Sequence, residues 1–224
     1  MQHYDYFLNP HISEPHYIAR LGIIRDLSEL AKETTGRVLD IGSGASRGYE
    51  KLFKPYVSEY LCLDRNPESN VDICSDCYNI PLDDNCIDVV LSTQVLEHLD
   101  NPSLMLKESY RVLKPGGTAI MTIPMSWGLH EEPDDFYRYT KYGIQYLLSE
   151  AGYVDIQIKP LEGLLASVIQ LIIDEYYAIW LKSNKSAANH AVTILNKIAL
   201  WLDKKFPTQR FCLTYLSTAH KPSN

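Results

Sequence analysis

Arg37-Val38-Leu39-Asp40-Ile41-Gly42-Ser43-Gly44-Ala45-Ser46 is the stretch that decides the fold. Five mostly apolar residues read as a short buried strand, and Gly42-Ser43-Gly44 break it at once. A short helix follows, with Tyr49, Leu52 and Phe53 on one face and Pro55 as its stop. Working outward, Tyr60-Leu61-Cys62-Leu63-Asp64 is a second apolar run ending in an acid. Val71-Asp72-Ile73 reads as a third strand and Ile87-Asp88-Val89-Val90-Leu91 as a fourth. Asn101-Pro102 opens a helix with a capping residue and a first-turn proline, and Leu106, Tyr110 and Leu113 mark its inner face. Lys114-Pro115-Gly116-Gly117 stops it before a fifth strand, Thr118-Ala119-Ile120-Met121-Thr122-Ile123. Thr140 caps a helix carrying Ile144, Leu147, Leu148 and Ala151, which Gly152 closes. Strands alternating with helices specify a doubly wound α/β sheet, mostly parallel and covered on both faces.

The flanks differ from this core. Upstream, Ile18, Leu21, Ile24 and Ser28 follow a helical period, with Ile23, Leu27 and Leu30 adding a second row. Downstream, residues 153–158 and 210–219 alternate like strands. The segment between them has helical period, so we expect an antiparallel edge hairpin whose connection is two helices, 161–181 and 187–205. The organisation expected is a helical cap over 1–35, a core over 36–159, a helical insertion over 160–209 and a last strand and tail over 210–224, one domain overall.

Composition narrows the function. The 224 residues carry 21 Lys and Arg against 28 Asp and Glu, a formal net charge of −7. With no basic run to release counterions from a phosphate backbone, a nucleic-acid partner is not expected. At 46% hydrophobic and 22% charged, the chain can bury a sizeable core. Five scattered cysteines suit a reducing compartment. The start, Met1-Gln2-His3-Tyr4-Asp5-Tyr6, lacks a basic and an apolar region, and the uncharged run Gly163 to Ile173 is shorter than a membrane span. The expectation is a soluble cytoplasmic chain.

In an open α/β sheet, ligands bind beyond the carboxyl ends of the strands. The glycine loop sits at such an end, and Asp64 closes the next strand, placed to accept hydrogen bonds from both hydroxyls of a ribose. A dinucleotide fingerprint would continue Gly-x-Gly-x-x-Gly, and Arg47 occupies the third glycine's place. Asp40, two residues before the first glycine, suits a ligand with positive charge rather than phosphates. A plain strand–turn–helix corner without a ligand is the other reading of the loop taken alone.

Further motifs then appear in order: Leu63-Asp64, Ser75-Asp76, Val95-Leu96-Glu97-His98-Leu99 and Arg111-Val112-Leu113-Lys114-Pro115-Gly116-Gly117. Together with the glycine loop they resemble the class I S-adenosylmethionine-dependent methyltransferases, over roughly residues 37–124. The resemblance implies a seven-stranded Rossmann-like sheet whose seventh strand is antiparallel, and S-adenosylmethionine as cofactor. It places Asp40, Gly42, Ser43 and Gly44 at the methionine part, Asp64 at the ribose and Arg65 beside the adenine. Asp76, with Cys77 and Tyr78 next to it, would reach the adenine amine. Thr93, Gln94 and Val95 would line the methyl-donor channel. Ser46 departs from the pattern, which often has a third glycine there.

Two histidines are candidate general bases: His130 after the fifth strand and, secondarily, His98 after the fourth. A structural histidine bonded to backbone is the plainer reading of His98. The loop between strand and helix is dense in acids and aromatics, and Trp127, Asp135, Tyr137 and Arg138 are its candidate substrate-binding residues. Arg138 pairing with Asp134 or Asp135 on a turn is the competing reading. The run His130 to Thr140 resembles methyltransferases of surface-polysaccharide pathways, which implies a small-molecule or saccharide acceptor and O-methylation. Cys74-Ser75-Asp76-Cys77 is a lone pair of cysteines, read as buried thiols, and no metal is assigned. The apolar faces of the C-terminal helices form a lid or core, or else a homodimer or peripheral membrane contact, with Lys182, Lys185, Lys197, Lys204 and Lys205 nearby. A nicotinamide oxidoreductase and a non-catalytic cofactor-binding domain are the competing functions.

Overall fold

The structure, a computed structural model, describes residues 7–223. Residues 1–6, on which the reading of the start rests, lie outside the described residues. Helix α1 (Tyr17–Glu33) leads into strand β1 (Arg37–Ile41), the short helix α2 (Glu50–Phe53), β2 (Glu59–Asp64), β3 (Ile73–Cys74) and β4 (Ile87–Thr93). A 3-10 turn at Leu96–His98 precedes α3 (Pro102–Val112), β5 (Leu113–Pro124), α4 (Lys141–Glu150) and β6 (Val154–Pro160). Helices α5 (Leu164–Ser183) and α6 (Lys185–Lys205) then connect to β7 (Thr214–His220). The seven strands form one sheet in the order β3-β2-β1-β4-β5-β7-β6. Neighbouring strands from β3 to β5 pair in parallel, and β7 runs antiparallel between β5 and β6.

Strand alternation sorts the core into two layers. Leu39, Ile41 and Leu63 face Met105 and Leu106 of α3 and Ile144 and Leu148 of α4. Val38, Tyr60 and Cys62 face Ile23 and Leu27 of α1 and Phe53 of α2. A smaller cluster of Ile18, Ala166, Ala199 and Leu213 seats the two long helices on the start of α1. Polar side chains pin that seat: the Gln170 carbonyl accepts from Ile18 N at 3.2 Å, and Asn196 Nδ2 donates to Ile12 O at 2.8 Å.

Several element limits differ from the sequence reading. The third strand begins at Ile73, because the Asp72 carboxylate is engaged by Cys62 N at 2.8 Å and by Arg47 at 2.9 Å. The fifth begins at Leu113, because Gly116 and Gly117 pair with Lys221 rather than leaving the sheet. Residues 210–213 are not strand: the Leu213 carbonyl accepts from Met125 and Ser126, tying this segment to the end of β5 instead. Asn101 stands at the N-cap of α3 without a side-chain capping bond, whereas Thr140 caps α4 by accepting from Gly143 N at 3.1 Å. Only Asn184 separates α5 from α6, so the two form one tight helical hairpin; its side chain accepts from Ala187 N at 3.1 Å.

Helix α5 is long and apolar enough to cross a membrane by length and composition, although Asp174 and Glu175 interrupt it. In the fold it packs along α6. Val168, Ile172, Tyr176 and Ile179 of α5, and Ile194, Ile198 and Trp201 of α6, remain exposed. Lys205 stands over the Trp201 ring at 4.8 Å.

Candidate functional site

A cavity of about 720 Å³ opens at the carboxyl ends of β1, β2 and β4. Its floor is the turn that leaves β1. Gly42 N and Ser43 N both donate to the Leu63 carbonyl, at 2.8 and 3.2 Å, which folds the loop back over β2. Gly42 and Gly44 have φ of 73° and 63°, the left-handed region that side chains resist. A Cβ on Gly44 would meet nothing within 4 Å, so this backbone borders open space a ligand can fill. A Cβ on Gly42 would stand 2.5 Å from Val95 Cγ2, so here the missing side chain lets the loop close on the residue after β4.

Asp64, at the tip of β2, takes part in the loop itself. One carboxylate oxygen accepts from Gly44 N at 3.0 Å and the other from Asn66 N at 2.9 Å. Asp76 accepts from Tyr78 N at 2.9 Å, and Tyr78 and Cys77 line the same wall. Two acids thus flank a slot whose remaining walls include Ile41, Leu63 and Leu99, an arrangement that fits a ribose between carboxylate and glycine backbone and a flat base beyond it.

The opposite wall comes from the loop after β5. Phe136 N and Tyr137 N donate to the Glu97 carbonyl at 2.8 and 3.2 Å, and the Tyr139 hydroxyl donates to the Leu96 carbonyl at 3.0 Å. These bonds fasten the loop to the 3-10 turn and bring His130 onto His98, with ring centroids 4.7 Å apart and the planes nearly perpendicular. The His98 Nδ1–H donates to the Asp134 carbonyl at 2.7 Å, so Nε2 is the free nitrogen. Beneath both rings Glu97 is fully buried, and neither carboxylate oxygen has a hydrogen-bond partner among the described residues. Burial pushes its carboxyl up to about 8.

Of the residues singled out from sequence, Gly42, Gly44, Asp64, Arg65, Asp76, Cys77, Gln94, Val95, His98 and His130 line the cavity. Asp40, Ser43 and Thr93 do not. Asp40 alternates onto the α1 and α2 face of β1, where the Tyr60 hydroxyl donates to it at 2.8 Å. Ser43 is bonded to Cys62 behind the loop, and Thr93 to the buried Tyr49 hydroxyl. Trp127, Asp135, Tyr137 and Arg138 are placed away from the lining as well. Arg138 donates to both oxygens of Asp135, at 2.6 and 2.8 Å, and to the carbonyls of Trp127 and Gly128. The guanidinium holds the Asp135 carboxyl far below its usual range, and Asp135 in turn accepts from His130 N at 3.0 Å. The pair therefore shapes the loop that presents His130. Tyr137 donates to the Asp100 carbonyl at 3.2 Å, and Trp127 meets His16 edge-on.

Sequence reasoning missed Phe136, Asp100 and Asp134 on the lining and the buried Glu97 behind it. An acid inside the apolar run Val95-Leu96-Glu97-His98-Leu99 was the available signal for the last. Of the cysteine pair, Cys74 is exposed and Cys77 buried, its thiol pushed up to about 12 by burial, and all five cysteines are free.

Asp40 makes a testable pH statement. Burial pushes its carboxyl up to about 7 from an ordinary 3.8. Between those values the folded chain holds a proton that the unfolded chain has lost, so stability falls as pH rises from about 4 to 7 and levels off above. Asp40→Asn is expected to remove this contribution, which is roughly 2–4 kcal/mol at full extent. Urea unfolding at pH 4.5 and 7.5 checks it: the wild type should lose more stability than the variant between the two.

Comparison with known proteins bears on the same region. Residues 39–121 match the family described as methyltransferase domain. A probable S-adenosylmethionine-dependent methyltransferase of Mycolicibacterium smegmatis is 42% identical over 106 residues, covering 42% of this chain and 41% of that protein. The chain spans less than half the length of the curated relatives it matches. Among solved structures, a SAM-dependent methyltransferase from Archaeoglobus fulgidus superposes with a TM-score of 0.60 at 18% identity, covering 91% of this chain and 94% of that one. Haemonchus contortus phosphoethanolamine N-methyltransferase 2, solved with S-adenosylhomocysteine, superposes at 0.57 and 18% identity, covering 88% and 53%. The match to the methyltransferase domain runs from β1 through β5, across the glycine turn and the acid ending β2, and the fold is that of the solved methyltransferases: residues 39–121 of this chain form a methyltransferase domain.

Proposed function

We propose that the chain binds S-adenosylmethionine in this cavity and transfers its methyl group to a hydroxyl of a small polar or saccharide acceptor. The observation that carries the reading is the Gly42–Gly44 cradle, open to the cavity at Gly44 and braced by the Asp64 carboxylate. Asp64 receives the ribose hydroxyls, and Asp76 and Tyr78 border the adenine. The cofactor, when bound, supplies an activated methyl on a sulfonium. The protein's part is alignment and exclusion of water. Gln94 and Val95 lie between the cradle and the His98–His130 corner, so the acceptor approaches from the histidine side. In the transfer an acceptor lone pair bonds the methyl carbon as the carbon–sulfur pair returns to sulfur. The acceptor proton passes to His130, whose ring is on the cavity wall and whose loop is fixed by Asp135 and Arg138.

The negative lining also favours a cationic cofactor over a dinucleotide: Asp64, Asp76, Asp100, Glu131 and Asp134 face the cavity against the single cation Arg65, which Asp134 neutralises. Calorimetry tests the reading. Binding of S-adenosylmethionine with no binding of NADH is the expected result, and the reverse overturns it. His130→Ala should lower single-turnover methylation of a true acceptor by roughly 100-fold. A variant rate identical to wild type removes His130 as base.

A further inference from the structure

Glu97, His98 and His130 each offer one ligand atom, and these three atoms lie within 4.8 Å of one another. Two observations separate this group from a chance cluster. Glu97 is 0% exposed, and both its oxygens lack a hydrogen-bond partner among the described residues; the nearest basic atom, His98 Nε2, is 3.8 Å away, beyond hydrogen-bond reach. A buried carboxylate left without partners is rare in folded proteins and calls for an occupant, a missing ion being one of the recurrent explanations. Second, both imidazoles are held in place at Nδ1. His98 donates Nδ1–H to the Asp134 carbonyl, which leaves its Nε2 as a lone-pair donor, and His130 Nδ1 lies 3.1 Å from the Gly128 carbonyl and 3.3 Å from Arg138 Nη2. Backbone partners of this kind orient the metal-binding imidazole in metalloproteins. The neighbouring Arg138 charge is met by Asp135, so it does not oppose a cation alone.

We propose that Glu97, His98 and His130 form a site for one divalent first-row transition cation, Zn²⁺ or Mn²⁺ in type, at the acceptor end of the cavity. Two imidazoles and one carboxylate suit such ions better than the oxygen-only preference of Ca²⁺ or Mg²⁺. Bonds of about 2.0–2.2 Å need the three side chains to draw together by about an ångström, within reach of χ rotations. Three protein ligands leave a position open, and His98 and His130 both line the cavity, so that position faces the acceptor. An acceptor hydroxyl bound there would lose its proton to solvent more readily, so in the cation-bound chain His130 holds the ion, and its role as base belongs to the cation-free chain. This last consequence rests on the methyl-transfer reading; cation binding does not.

The experiment is equilibrium dialysis of the full chain, stripped of metal, against Zn²⁺ and separately Mn²⁺, without S-adenosylmethionine. The expected result is one equivalent per chain, with affinity roughly tenfold or more weaker in each of Glu97→Gln, His98→Ala and His130→Ala. Cys74→Ser, at an exposed thiol away from this corner, should bind like wild type. Absence of stoichiometric binding overturns the proposal, as does binding that survives both Glu97→Gln and His130→Ala. Should Glu97→Gln fail to fold, His130→Ala decides alone, because its partly exposed side chain on a surface loop carries no core packing. Because no cofactor is present, failure here leaves the S-adenosylmethionine reading intact, and failure of cofactor binding leaves this result unaffected.

Discussion

Asp64→Ala is expected to weaken S-adenosylmethionine binding by about 100-fold or more while the chain stays folded. Two ribose hydroxyls donating to one ionised carboxylate are each worth about 1.5 kcal/mol or more, so their loss together reaches about 3 kcal/mol. The same carboxylate also holds Gly44 N and Asn66 N, and removing it frees the glycine turn after β1 and the turn after β2. Gly44 borders the open cavity and Asn66 is exposed, so water can replace the lost acceptor at both amides and the stability cost stays near 1 kcal/mol. Asp64→Asn keeps one acceptor oxygen and the side-chain shape, and should fall between wild type and Asp64→Ala. Calorimetric affinity and a thermal melt on all three proteins separate the two effects. Unchanged affinity in Asp64→Ala would place the ribose elsewhere.

The second large effect comes from two glycines that look equivalent in sequence and are not in space. Gly42→Ala should destabilise the fold by roughly 2–4 kcal/mol, from left-handed backbone strain plus the clash with Val95. For a chain of this size that lowers the melting temperature by roughly 5–15 °C. Gly44→Ala carries the backbone strain alone, about 1 kcal/mol, because its new methyl enters empty space. That space is where the ligand lies, so Gly44→Ala should lose cofactor affinity by roughly tenfold or more with little change in melting. Thermal melts and calorimetry of both variants check the contrast. Equal loss of stability in the two would mean that the cavity is not open at Gly44.

How far the sequence alone could reach follows from which signals are local. The strands β1, β2 and β4 were legible because short apolar runs bounded by glycines and acids have one stable role in an α/β sheet. The hairpin of β6 and β7 with its two inserted helices was legible from the change of period. The start of β7 was not, since residues 210–213 look strand-like and are held instead by backbone bonds from Met125 and Ser126. At the site, glycine and acid spacing located Gly44 and Asp64 because both sit at strand ends. Asp40 shows the limit: spacing put it next to the cavity, but alternation along β1 turns it to the other face and onto Tyr60. Arg138 and Asp135 show another. Their chemistry suits substrate binding and mutual pairing alike, and the fold decides for the pair, which also holds the His130 loop. Glu97 was readable only in part for a related reason: an acid inside an apolar run is visible in the chain, but its lack of partners is a property of three-dimensional packing.

A crystal structure of the full chain with S-adenosylhomocysteine tests the central claim most directly. The ligand should lie across the glycine turn, its ribose hydroxyls on the Asp64 carboxylate, its adenine beside Asp76 and Tyr78 and its sulfur directed toward the His98 and His130 rings. A nucleoside bound anywhere else, or a cavity filled at saturating ligand by the chain's own side chains, would contradict it.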